Sequence, residues 1–167
     1  ARIIIFCSTK RMCDQLERSL ARAAPCAAIH GDKDQHQRNR TLSDFKDGRV
    51  PVMIATDVAA RGLDVKDVRA VVNFDFPSNV EDYVHRIGRT GRAGAKGNAY
   101  TFFTRKDGSR ASALIKIMQQ AGQEVSPELM SMAGGFQHAG SSMQFSRGGG
   151  GGGGGYRGGG GGGGGYG

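Results

Sequence analysis

Tryptophan is absent from this 167-residue chain, proline occurs four times and cysteine three times. Cys7, Cys13 and Cys26 form no C-x-x-C pair, and no histidine lies at metal-ligand spacing from them. A disulfide framework and a zinc finger are therefore excluded, and the expectation is small buried thiols in a reducing compartment. Long apolar runs are also missing. The longest, Ile3 to Cys7, falls far short of the roughly 20 residues that cross a bilayer. No charged-then-apolar leader precedes it, so a soluble protein without membrane attachment is expected. A phosphate-binding loop G-x-x-x-x-G-K-[ST] is lacking too. The nearest candidate, Gly94-Ala95-Lys96-Gly97, has neither the spacing nor the hydroxyl after lysine. The chain opens at Ala1 directly in front of an apolar run, which suggests a piece of a longer protein.

What is abundant is glycine and positive charge. Lys and Arg number 23 against 15 Asp and Glu, a net charge of +8. Of 29 glycines, 17 lie between Gly148 and Gly167, interrupted only by Tyr156, Arg157 and Tyr166. They do not fall at every third position with proline between them, which excludes collagen. Such a segment has no apolar surface to offset the entropy of ordering it, so it is predicted to be disordered. The remainder has the size of one domain with one core.

Four short apolar runs, Ile3–Cys7, Cys26–Ile29, Val52–Ala55 and Ala70–Phe74, alternate with stretches that read as helices, and a fifth, Ala99–Phe103, follows. Strand then helix, repeated, predicts a mainly parallel sheet with helices on both faces. Met12, Leu16 and Leu20 form a helical stripe behind Thr9 as N-cap. Gln35–Lys46 reads as a solvated helix in which Leu42 and Phe45 are the large apolar residues. Ser78 and Glu81 match a capping box. Leu114, Ile117, Met118 and Ala121 mark a late helix ended by Gly122, and Ser126-Pro127 starts a last one.

Ligands of an open parallel sheet bind beyond the carboxyl ends of its strands. Ser8-Thr9-Lys10, His30-Gly31-Asp32 and Thr56-Asp57 follow the first three strands directly, which puts hydroxyls, carboxylates and small residues on one rim. Ordinary caps and turns use the same residue types, so each loop alone carries little weight. The segment His85-Arg86-Ile87-Gly88-Arg89-Thr90-Gly91-Arg92 carries more, with an arginine at every third position and glycines at 88 and 91. Guanidinium forks pair bidentately with phosphate oxygens, and glycine lets the backbone approach a bulky anion. A polyphosphate or a nucleic-acid strand fits this comb; a solvated basic turn is the plainer alternative.

The comb has a companion. Together with Ala55-Thr56-Asp57-Val58-Ala59-Ala60-Arg61-Gly62-Leu63-Asp64 it resembles motifs V and VI of the DEAD-box RNA helicases of superfamily 2. Ile4-Ile5-Phe6-Cys7-Ser8-Thr9 resembles motif IV, His30-Gly31-Asp32 and Gln37-Arg38 the segments after it, and Asn73-Phe74-Asp75-Phe76-Pro77 the stretch between V and VI. The resemblance covers about residues 1–132 and implies a three-layer α/β RecA-like domain, the second of the two in such helicases, followed by a Gly-rich tail over 133–167. It implies ATP with Mg²⁺ as cofactor and, as partners, RNA and the N-terminal RecA-like domain of the same protein. By the same resemblance Arg89 and Arg92 are arginine fingers, Asp64 contacts the ATP ribose, and Gly62 is its close-packed neighbour. Thr9, Gly31, Arg38 and Thr56 match RNA-backbone contacts, while His85 and Arg86 match residues that couple the nucleotide site to the interdomain interface. The family keeps its phosphate loop and its D-E-A-D carboxylates in the first domain. Neither motif occurs in these residues, so the polypeptide alone is expected to be half an enzyme.

Two ten-residue units, 148–157 and 158–167, each run eight glycines then a tyrosine, closing with Arg157 in the first and Gly167 in the second, with R-G-G at Arg147 and Arg157. Tyrosine stacks on bases and arginine pairs with phosphates, so the tail reads either as a weak strand binder or as a plain linker. It suits ribonucleoprotein partners and a nuclear location, and a cytoplasmic one is compatible. A non-catalytic RNA-binding scaffold and a DNA helicase of the same superfamily are the competing readings. The finger arginines argue against the first, and the Arg38, Thr56 and His85 blocks against the second.

Overall fold

The computed structural model describes residues 1–61, 63, 65, 67–92 and 96–137. Five strands form one sheet, β1 (Arg2–Phe6), β2 (Cys26–Ile29), β3 (Val52–Ala55), β4 (Val68–Asn73) and β5 (Asn98–Thr101), in the order β2-β3-β1-β4-β5. Every pairing is parallel. Parallel neighbours need a crossover, and the intervening elements supply it: α1 (Lys10–Leu20), α2 (Gln35–Lys46), α3 (Asp57–Ala60) and α4 (Val80–Ile87). After β5 come a 3-10 helix (Arg105–Arg110), α5 (Ala111–Gln120) and α6 (Pro127–Gln137). The RecA-like α/β expectation holds, and α6 runs through residue 132 to Gln137.

The periodicities account for the packing. On one face Ile4, Phe6, Met53, Ala55 and Val71 meet Phe45 and Leu42 of α2. Leu42 and Phe45 give α2 its contact with the sheet, while most of its other residues are exposed and Arg38, Thr41 and Asp44 are half-buried. On the opposite face Met12, Leu16 and Leu20 of α1 cover Ala28 and Ile54 together with Cys7 and Cys13. These two thiols are fully buried and free, as expected, and Cys26 is half-buried. The hydrogen bond to Cys13, then burial, raises the Cys7 thiol above its ordinary pKa. A third cluster joins Tyr83 of α4 to Leu114 of α5 and Leu129 of α6.

The ends of the helices follow the sequence with one correction. The Met12 N–H donates to Thr9 Oγ1 at 3.2 Å, and the Leu129 N–H donates to Ser126 Oγ at 3.2 Å. Gly122, at φ +70°, ends α5, and the Gln123 N–H returns to the Met118 carbonyl at 2.9 Å. The expected capping box at Ser78 and Glu81 is displaced by one residue. Asn79 is the cap, its Oδ1 accepting from the Asp82 N–H at 2.8 Å. Asn is at least as good a cap as Ser, and the Ser78 carbonyl is held by Arg110 Nε at 2.8 Å. Among the described residues no helix is long and apolar enough to cross a membrane, and no group of His, Cys, Asp and Glu could hold a metal ion.

Candidate functional site

Three loops meet at the carboxyl end of the sheet, and one arginine ties them together. Arg86, in the last turn of α4, is only 1% exposed. Its Nε and Nη2 donate to the two carboxylate oxygens of Asp57 at 2.7 and 2.8 Å. Its Nη1 donates to the Asp75 carbonyl at 2.7 Å, and Nη2 reaches Ser8 Oγ at 3.4 Å. Asp75 in turn accepts from the Ser8 N–H at 2.9 Å and from Ser8 Oγ at 2.8 Å. The guanidinium carbon lies 5.5 Å from the centre of the Phe6 ring. Burial alone disfavours the charge of Arg86; the hydrogen bond and charge of Asp57, with Asp75, outweigh it and push the pKa up. Arg86 thus joins the chain after β1, β3 and β4 and presents little surface to any ligand.

The residues around Arg86 are open. Exposed His85, half-buried Arg89 and exposed Arg61 line a cleft of about 240 Å³ together with Asp57 and Asp82. Arg89 is aimed by a 2.7 Å hydrogen bond from Nη1 to the Leu63 carbonyl. It also borders a second cleft, of about 310 Å³, where Arg92, Lys96 and Arg69 gather with Asp67 as the acidic member. Asp67 is already paired with Arg2 at 3.2 Å. Two features hold the turn that carries these arginines. Gly91 adopts φ +67°, a conformation that strains residues with a Cβ. A Cβ on Gly97 would collide with Thr90 Oγ1 and the Gly91 N–H, so the chain entering β5 lies directly against the arginine turn.

A second group lies beyond β1, β2 and β3. Thr9 caps α1, and the next residue, Lys10, pairs with Asp32 at 2.9 Å. That hydrogen bond holds the exposed Asp32 carboxyl below its ordinary pKa. Gly31 sits between two cations: a Cβ there would lie 3.2 Å from Lys10 Cε and 3.9 Å from Arg38 Nη2. Arg38 is oriented by the His30 carbonyl at 3.2 Å. The buried His30 ring is fixed by Asp14 on Nε2 at 2.8 Å and by the Asp32 N–H on Nδ1 at 3.2 Å. Thr56 is 8% exposed, and its hydroxyl accepts from the Ala59 N–H at 3.4 Å as the cap of α3.

The sequence-predicted residues therefore fall into two sets. His85, Arg86, Arg89 and Arg92 share the two clefts at the end of α4. Gly31 and Arg38 stand beside Lys10, the residue after Thr9. Gly62 and Asp64 lie outside the described residues, as does the Gly-rich tail from residue 138 onward. Lys10, Asp57 and Asp75 had no assigned role, although a cation after β1 and carboxylates after β3 and β4 are legible as rim residues.

A parallel α/β domain whose rim carries paired arginines and a second cationic niche is the architecture of a helicase's RecA-like half. Residues 1–94 match the family described as "Helicase conserved C-terminal domain", to which the chain belongs. It is 61% identical over 147 residues to DEAD-box ATP-dependent RNA helicase 14 of Arabidopsis thaliana, covering 88% of this chain and 23% of that protein. It is 65% identical over 133 residues to DEAD-box ATP-dependent RNA helicase 46 of the same plant, covering 80% and 21%. Among solved structures it resembles the yeast DEAD-box splicing factor Prp28, with a TM-score of 0.73 and 37% identity over 78% of this chain and 30% of that one. The domain is thus the C-terminal helicase domain of a DEAD-box RNA helicase, and the chain spans about a quarter or less of these two curated relatives.

Proposed function

We propose that this domain supplies half of an ATP-dependent RNA helicase, with Arg89 and Arg92 acting as arginine fingers on closure against an N-terminal RecA-like domain. The observation that carries the reading is the arginine turn: two guanidiniums border adjoining clefts and project from a helix end locked by Arg86 and Asp57. Guanidinium and ammonium groups fit a triphosphate, which would supply the anhydride bond that is hydrolysed. Among the described residues Asp57 and Asp75 are committed to Arg86 and Asp67 to Arg2, Asp82 accepts from the Asn79 side chain, and no group of His, Cys, Asp and Glu could hold a metal ion. The Mg²⁺ ligands and the phosphate loop therefore belong to the partner domain. A finger delivered from across a cleft neutralises charge that develops only in the transition state, worth ~10³–10⁵ in phosphoryl-transfer rate. Turnover then depends on the two domains meeting.

Thr9, Lys10, Gly31 and Arg38 form the strand-binding side, where cations and a residue without a side chain admit a sugar-phosphate backbone. Thr56 joins them through its hydroxyl hydrogen. Asp64, with Gly62 beside it, contacts the ribose of ATP. His85, at the mouth of the nucleotide cleft, and Arg86, beneath it, link nucleotide to interface. The tail beyond residue 132 adds weak strand affinity and ribonucleoprotein contacts, and suits a nuclear location. Steady-state phosphate release by the full-length protein across an RNA titration tests the assignment. Arg89→Lys and Arg92→Lys should each abolish most RNA-stimulated turnover while nucleotide-free RNA binding is retained. Wild-type turnover with lost RNA affinity would reassign the arginines as strand contacts.

A further inference from the structure

His30, the residue directly after β2, is 2% exposed and presents almost no surface to a strand. Its ring is nevertheless held at both nitrogens. A backbone amide can only donate, so the Asp32 N–H at 3.2 Å requires a lone pair on Nδ1. The ring proton therefore sits on Nε2, where it is donated to Asp14 Oδ1 of α1 at 2.8 Å. One tautomer satisfies both partners, and a ring turned over about its Cβ–Cγ bond satisfies neither.

The backbone of the same residue closes the turn that its ring supports. The His30 carbonyl accepts from the Lys33 N–H at 3.1 Å and from Arg38 Nε at 3.2 Å. Gly31 and Asp32 are the central residues of that turn, and the ring holds the second of them by its amide. Gly31 is thereby set between Lys10 and Arg38, and the Asp32 carboxylate is set on Lys10 Nζ at 2.9 Å. The cations that flank Gly31 are long and half-buried or exposed, whereas the ring beneath them is fixed by two partners from two elements.

We propose that His30 is a positioning residue for the RNA strand, acting through Nδ1 on the Gly31–Asp32 turn and not by contact. The inference rests on the assignment of Gly31 and Arg38 to the strand. A histidine that only filled the core would need its bulk and its bond to Asp14. The Nδ1 acceptor serves the turn alone, so the two ring nitrogens have separable duties: Nε2 ties the ring to α1, and Nδ1 transmits that position to the residues beside the sugar-phosphate backbone.

Two substitutions separate those duties. His30→Asn keeps an acceptor where Nδ1 stands, since asparagine bonds the amide two residues on in an Asx-turn, and loses the bond to Asp14. His30→Gln does the reverse, reaching Asp14 and leaving the Asp32 N–H without its ring acceptor. The measurement is RNA-stimulated phosphate release by the full-length protein, titrated with oligo-uridine. His30→Gln should raise the half-saturating RNA concentration roughly fivefold or more, the scale of one hydrogen bond, with the rate at saturating RNA and the KM for ATP at parental values. His30→Asn should stay near the parent in RNA affinity although its melting temperature falls at least as far. Strand affinity and stability then run in opposite order, which a packing role does not produce. Nitrogen NMR of the labelled parent should show the His30 ring protonated on Nε2 alone. The proposal is overturned by an Nδ1–H tautomer, by parental RNA affinity in His30→Gln, or by affinity losses in both variants that follow their melting temperatures. Arg38→Ala is the reference: if it binds RNA like the parent, the strand assignment falls and the inference with it. Loss in Arg38→Ala beside parental affinity in His30→Gln overturns the inference alone.

Discussion

Arg86 and Asp57 form a two-point ion pair, 2.7 and 2.8 Å, that fastens the end of α4 to the start of α3 across 29 residues of sequence. Residues proposed to touch ligand flank both helices, Thr56 before α3 and Arg89 after α4, so this pair sets the distance between the arginine turn and the loop after β3. Arg86→Lys keeps a charge but loses the planar fork. It leaves the Asp57 and Asp75 carboxylates, about a quarter and a third exposed, with one donor group where they had a fork. Urea denaturation of Arg86→Ala should show a loss of about 3 kcal/mol, the range for breaking a buried pair. An unchanged midpoint would show that the clamp is not structural.

Gly91→Ala tests the turn itself. A φ of +67° costs a residue with a Cβ roughly 1–2 kcal/mol. The full-length protein should lose RNA-stimulated turnover through misplacement of Arg92, with a small fall in melting temperature. If turnover survives at the parent level, the turn does not position the finger.

Asp32 competes with any phosphate for Lys10. Asp32→Asn should therefore raise single-strand affinity several-fold at low salt, with the gain shrinking as salt rises. Fluorescence anisotropy at two salt concentrations reads this directly. No gain at low salt would place Lys10 outside the strand path.

Thr56 has a structural duty that its sequence assignment did not contain, because its hydroxyl oxygen caps α3. Thr56→Val should cost about 1 kcal/mol from the lost cap as well as closed-state RNA affinity, whereas Thr56→Ser should restore most of both. A Thr56→Val protein of parental stability would remove the cap from the account.

The chain by itself is expected to hydrolyse no ATP, since its sequence holds no phosphate loop and, among the described residues, no group of His, Cys, Asp and Glu could hold a metal ion. Phosphate release near 1 s⁻¹ or above, within the ordinary enzyme range of about 1–10³ s⁻¹, would sink the half-enzyme assignment. Removing residues 148–167 should leave the fold intact and lower strand affinity by a modest factor; identical affinity at two salt concentrations would make the tail a linker.

Strands were legible because each is a short apolar run bounded by polar residues; α1, α4, α5 and α6 were legible from a cap or a glycine, and α2 from Leu42 and Phe45. The misses have local causes. The four-residue helix α3 and the 3-10 helix at Arg105–Arg110 are too short to show a period. The cap of α4 moved from Ser78 to Asn79 because two adjacent good caps cannot be ranked without the contact to Arg110. Arg86 was placed in the right segment, but its clamp on Asp57 and Asp75 was not legible, since a fully buried guanidinium depends on carboxylates 29 and 11 residues away that only the sheet topology brings together.

Gly97 couples the arginine turn to an edge strand, and edge strands are among the first parts of a sheet to open. Its backbone abuts Thr90 and Gly91 where β5 begins, and among the described residues β5 pairs with β4 alone. That last strand therefore helps to seat the turn, beside the contacts of Arg89 with Leu63 and Thr90 with Val68, and the turn's amide protection should track that of residues 98–101. During synthesis Arg89 and Arg92 would emerge a few residues ahead of Asn98–Thr101, so the turn takes its final geometry only after that strand has followed and paired.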